Sequence, residues 1–218
     1  MCNLYEQNVA YSQFVDEFSW LRLPLVFPPP SATPNLEPRE IKPTDPAPVI
    51  RRGEGGVELV QLKWGFAPAA AKRPPVINFR SEGRSFGRGR CLVPASAFFE
   101  FTGTGYPKTR WRFTAPESDW FCMAGLWRPA AGDWPESFTL LTCAPGDDVR
   151  PYHDRQVVVL GRGQWAAWLD PDADPAPLLK PGPAGSLAAE EAPRAPAPRE
   201  PTLFYPAPQP ACFNSCRI

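Results

Sequence analysis

The sequence of 218 residues carries no net charge, a single histidine and no long apolar run, and each shortage excludes something. Lys and Arg number 23 against 23 Asp and Glu, so no global attraction draws the chain to nucleic acid or membrane. The piece WLRLPLVFPPP (20–30) is too short and too Pro-rich to cross a bilayer. No basic region followed by an apolar stretch opens the chain, so no secretory signal is expected. The expectation is therefore a cytoplasmic protein whose six cysteines are reduced thiols. Cys91, Cys122 and Cys143 lie in apolar, strand-like stretches and read as small core residues. Cys212 and Cys216 have no second pair at zinc-ligand spacing and no nearby His, so neither a metal nor a cofactor is expected. HExxH, P-loop and dinucleotide fingerprints are all missing, which removes the zinc-protease and nucleotide-binding chemistries. GRGR (87–90) has no strand–helix context and reads as a basic turn.

What the sequence does hold is proline and aromatic mass. Its 31 prolines disfavour helical bundles, while 43% hydrophobic residues, with 14 Phe and 8 Trp, supply a core. Short aromatic and β-branched runs bounded by Gly, Pro and Asp recur at 57–66, 91–101, 109–114, 120–127, 137–144 and 156–160. They predict an α+β, β-rich single domain with a curled, barrel-like antiparallel sheet and a few short helices. Leu4, Val9, Phe14 and Phe18 are spaced for a short helix after the terminus, and GQWAAWLD (163–170) for another. A Pro-rich connection follows the first of these through Pro48. The domain is expected over 2–170. From 171 to 218 a Pro-rich, low-complexity tail follows, partly wrapped or disordered, with REPTLF (199–204) as one anchorable piece.

Reactive candidates are few. Cys2 follows the initiator Met, which is usually removed before a small residue. The new terminus would carry an α-amine and a thiol, with ordinary pKa values of about 7.7–8.0 and about 8.5. Such a 1,2-aminothiol condenses with an aldehyde to a Schiff base and then closes a thiazolidine ring. Glu100, in FFEF, either faces solvent from an alternating strand or sits in an apolar pocket where desolvation raises its pKa. His153, in RPYHDR, is the only histidine and reads as a structural hydrogen-bonder or a proton carrier. Asn78 can orient an amine, and Arg80, two residues on, shares its strand face and can grip phosphate. Between Lys72 and Arg90 six cations stand against one anion, Glu82, as either a surface loop or a phosphate-binding patch.

Taken in order, Cys2, WGF (64–66), NFRSE (78–82), RCLVPASAFFEF (90–101), MAGLW (123–127) and HDR (153–155) resemble the SRAP family. These are the SOS-response-associated peptidase-like proteins that shield abasic DNA. The resemblance spans roughly residues 2–170 and implies a β-rich α+β fold. It implies Cys2, Asn78, Glu100 and His153 as catalytic positions, with Trp64, Arg80, Thr142 and Arg155 toward DNA. The implied partner is single-stranded DNA containing abasic sites, captured as a covalent thiazolidine after loss of Met1. AP-lyase and autopeptidase activities are implied beside it, as are a monomer, no membrane, and nucleoid association on damage. Departures are Asn3 and Leu4 in place of the usual Gly-Arg, Phe79 for a small residue, and Gln156–Val157 for Met-Pro. An arginine able to contact phosphate is thereby missing. Two other classes stay open at this stage: an N-terminal-nucleophile amidase or protease, and a non-covalent single-strand binder.

Overall fold

The structure, a computed structural model, describes residues 2–23, 25–26, 34–70 and 72–193. REPTLF, Cys212 and Cys216 lie outside the described residues. The order of elements is β1 (Tyr5–Gln7), α1 (Tyr11–Trp20), β2 (Leu25–Val26), β3 (Arg39–Ile41), β4 (Pro46–Gly53) and β5 (Gly56–Trp64). Then come β6 (Asn78–Arg80), β7 (Arg90–Ala95), β8 (Ala97–Thr102), β9 (Thr109–Thr114), β10 (Phe121–Arg128) and β11 (Ser137–Cys143). β12 (Gln156–Val157), β13 (Val159–Leu160), α2 (Trp165–Leu169) and β14 (Ala188–Glu191) complete it.

Two sheets form. One runs β14–β9–β8–β1–β3, the other β12–β11–β10–β7–β4–β5–β2. In the second, β11 also pairs in parallel with β5, at Ser137–Lys63 and Phe138–Trp64, which closes five strands into a ring. The curled sheet expected from the strand-rich sequence is therefore present, as a single domain.

Strand alternation sorts the side chains into two cores. Val49, Leu62, Trp64, Val93, Met123, Phe138 and Leu140 share one with Cys2. Ile50, Leu59, Leu92, Cys122, Ala124 and Leu141 share the other with Phe14, Phe18, Trp165 and Trp168 of the helices. A strand buried on both faces reads as an unbroken apolar run, as CLVPA (91–95) does. Cys91, Cys122 and Cys143 are buried here as small core residues.

The amino-terminal segment corrects the expected helix over 4–18. Residues 5–7 are extended as β1, because β3 and β8 flank them and supply partners for their backbone, with Tyr5 opposite both Ile41 and Phe98. The helix starts only at Tyr11, after the Gln13 side chain accepts from the Ala10 N–H at 2.8 Å. Phe14 and Phe18, one turn apart, then face Trp120 and Trp165. Two further readings change. The run 91–101 is two strands, broken at Ser96, and 156–160 is also two, joined to different partners. Within the Pro-rich stretch, Asp148 accepts the Gly185 and Leu187 N–H groups, and β14 pairs with β9.

Candidate active site

Pairing of β1 with β8 brings the start of the chain to FFEF. The Phe99 N–H donates to the Leu4 carbonyl at 3.0 Å, two residues from Cys2. Phe98 belongs to the first core, so Glu100, two residues on, points to the same side. Its side chain is only 2% exposed, which selects the pocket over the solvent-facing alternative. Burial raises the Glu100 carboxyl to about 7, and the charge of Asp154 pushes the same way.

Cys2 is buried at 1% exposure, with its Sγ donating to the Leu4 carbonyl at 3.3 Å. Burial pushes the thiol up to about 12, and the nearby Glu100 adds to the shift. Asn78 reaches the same residue from β6. Opposite Leu140 in register, it donates from Nδ2 to the Cys2 carbonyl at 2.7 Å, while its buried Oδ1 accepts nothing among the described residues. An amide so placed fixes the Cys2 backbone and keeps an acceptor for an incoming N–H or O–H.

His153 closes the set. Its Nε2 stands 3.7 Å from Glu100 Oε2, and its Nδ1 accepts from the Arg155 N–H at 2.9 Å. The Asp154 carboxylate also stands 2.8 Å from Nδ1, so each ring nitrogen faces a carboxyl group. Burial lowers the His153 pKa, favouring the neutral ring. The structure thus links Cys2, Asn78, Glu100 and His153 at one end of the first core.

The other four positions are arranged differently. Trp64 is fully buried, packed edge-on against Tyr5 and stacked on Phe138, with its indole N–H donated to the Ile77 carbonyl at 2.9 Å. It has no face open to a DNA strand and instead props the residue before Asn78. Thr142 is buried and accepts from Arg155 Nη2 through both its carbonyl, at 2.8 Å, and Oγ1, at 3.1 Å. The same guanidinium pairs with Glu82, 2.9 Å from Nη2 to Oε2. That pairing, a side-chain hydrogen bond above all, pushes the Glu82 carboxyl down to about 2. Arg155 is therefore committed inside the protein. Arg80 is exposed beside the pocket, on the Asn78 side of β6, and has no ion pair among the described residues.

Sequence reasoning missed the Glu82–Arg155 pair and the aromatic pair of Trp111 with Tyr152, 4.7 Å apart, beside His153. RPYHDR held the Tyr152 signal, but only the β8–β9 register, Glu100 opposite Trp111, shows what it meets. Among the described residues no cluster of His, Cys, Asp and Glu could hold a metal, and no helix is long and apolar enough to cross a membrane.

YobE of Bacillus subtilis, an abasic site processing protein by name, is 31% identical over 135 residues, covering 54% of this chain and 61% of YobE. The match thus spans about three fifths of that relative's length. YoaM of the same bacterium, with the same description, is 26% identical over 187 residues, covering 78% of this chain and 80% of its own. A crystal structure of a Bordetella bronchiseptica protein superposes with TM-score 0.68 at 25% identity, covering 88% of this chain and 100% of that one. The description SOS response associated peptidase (SRAP) matches residues 1–194, and the chain belongs to that family.

Proposed function

We propose that the protein processes abasic sites in single-stranded DNA, capturing the lesion covalently through Cys2 once Met1 is removed. The observation that carries this reading is the burial of the Cys2 thiol beside a carboxyl raised to about 7, with Asn78 bonded to the same cysteine. The names of YobE and YoaM point to the same substrate class.

The chemistry begins with the open-chain aldehyde of an abasic deoxyribose. Attack by the Cys2 amine on the aldehyde carbon gives a carbinolamine. Protonated Glu100 then gives its proton to the departing hydroxyl, water leaves, and an iminium ion remains. A thiol raised to about 12 keeps its proton until then. The neighbouring iminium charge favours its ionisation, the proton returns to Glu100, and sulfur closes the ring. One water is lost overall, and Glu100 ends as it began. His153 hydrogen-bonds the opened sugar oxygen. Arg80 holds a phosphate of the flanking strand, so binding is expected to weaken with added salt. Single-stranded substrate suits a buried nucleophile, because the aldehyde is reached without unstacking a duplex.

Should the imine form without ring closure, β-elimination would cleave the strand, so Cys2→Ser is expected to shift product from adduct toward nicked DNA. The amidase reading has less support: the Cys2 thiol is bonded to the Leu4 carbonyl, and His153 faces Glu100. A denaturing gel of protein mixed with an oligonucleotide bearing one abasic site tests the proposal. A shifted band that requires both the lesion and Cys2 is expected. A band that persists in Cys2→Ala would sink the assignment.

A further inference from the structure

One cavity, of about 690 Å³, lies away from this chemistry. Phe66, Phe79 and Trp127 line it together with Arg84, Arg88 and Arg128, and no acidic residue does. Four arginines elsewhere, Arg51, Arg110, Arg112 and Arg155, pair with glutamates. Among the described residues none of the three groove arginines has a carboxylate partner. Two of them lie over rings instead, Arg84 above Phe79 at 4.5 Å and Arg128 above Phe66 at 4.3 Å.

The wall is built, not incidental. Gly89, at φ 71°, lets the basic turn press against β10, where its carbonyl accepts the Trp127 N–H at 2.7 Å. A Cβ at Gly89 would stand 2.7 Å from the Trp127 carbonyl oxygen, so no other residue fits without displacement. Arg88, next in the turn, lines the groove together with Trp127. On the opposite side, Phe79 is the immediate neighbour of Asn78, about 3.8 Å away along the backbone. Their side chains leave β6 on opposite faces, Asn78 toward Cys2 and Phe79 toward the second core and the groove.

We propose that this groove seats a nucleobase of the single strand flanking the lesion, with Arg84, Arg88 and Arg128 on the adjoining phosphates. Stacking rings interleaved with unpaired guanidinium groups are the chemistry that single-strand binding uses, since every base has a π-face and every nucleotide a phosphate. Balanced net charge makes the concentration of unopposed cations here informative. A strand leaving the pocket past Arg80 crosses the edge of β6 to reach the groove. The inference rests on the single-stranded DNA reading but not on covalent capture.

The test uses lesion-free single strands, so that it stands or falls apart from the Cys2 chemistry. Iodouracil is placed at successive positions, the full-length protein is irradiated, and crosslinked peptides are identified by mass spectrometry. Crosslinks are expected on the peptides holding Phe79 or Trp127. The exposed pair Arg84→Ala/Arg88→Ala should raise Kd by about tenfold with an unchanged melting temperature. Crosslinks confined to other peptides, with an unaltered Kd in the double variant, would overturn the proposal. So would competition by thymidine monophosphate or inorganic phosphate at equal phosphate concentration, which would make the groove a site for small anions.

Discussion

Glu6 and Glu100 lie on neighbouring strands of one sheet and behave as different acids. Glu6 accepts from Arg112 Nη2 at 3.0 Å and from the Ser96 hydroxyl at 2.7 Å. Burial alone would raise its carboxyl, yet these bonds hold it below the ordinary glutamate value. Glu100 is more deeply buried and meets the imidazole of His153, a group that itself titrates, and it is raised to about 7. A partner of permanent charge turns a carboxylate into a structural tie. Burial beside a titratable neighbour makes it able to give and take a proton near neutral pH.

The largest way to break this comparison is Glu100→Gln, which keeps the shape and removes the proton. Adduct formation is expected to slow by about 10²–10⁴-fold, the span of general acid–base contributions. The wild-type rate depends on protonated Glu100 and so falls as pH rises through about 7. The opposing limb, which rises with pH, comes from the Cys2 amine, ordinarily near about 7.7–8.0. In the glutamine variant the fall above about pH 7 is expected to vanish. Single-turnover rates across pH check both statements.

A smaller effect separates support from chemistry. Trp64→Phe leaves the Ile77 carbonyl without its indole donor in a buried setting, which costs about 1–3 kcal/mol of stability. Urea denaturation measures it. Smallest is Arg112→Met, which unties Glu6 from β9 and from Glu190 of β14. Partial exposure limits the loss to about 1 kcal/mol. Glu6 has a depressed folded-state pKa, so its contribution is present above its unfolded pKa and fades as pH falls through the folded value. Variant and wild type should therefore differ at neutral pH and converge in acid.

How much of this was legible depended on range. β9 was readable to the residue, because TRWRFT carries its own β signal. β1, β3 and β14 were not, since residues 5–7, 39–41 and 188–191 become strands only where a partner edge meets them. FFEF offered Glu100 two orientations, and only the closure of β1 on β8 selects the inner one. Trp64 could be placed near the site by the family resemblance, yet burial against Tyr5 and Phe138 makes it a prop. Arg155 read as a phosphate grip, but its guanidinium is committed to Glu82, 73 residues away in sequence. The run 72–90 likewise hid its division: Arg90 is buried against the Asp170 and Ala173 carbonyls, while Arg84 and Arg88 line the groove. Short-range pattern reveals strands; it does not reveal which charges meet.

Glu100 exchanges its proton near neutral pH, while its neighbour on β1 stays ionised there. Carbon-13 NMR of glutamate-labelled full-length protein, titrated with pH and assigned through Glu100→Gln and Glu6→Gln, measures it most directly. A Glu100 carboxyl titrating near 7 and a Glu6 carboxyl titrating below the ordinary 4.5 are expected. A Glu100 signal that moves together with the exposed glutamates would contradict it.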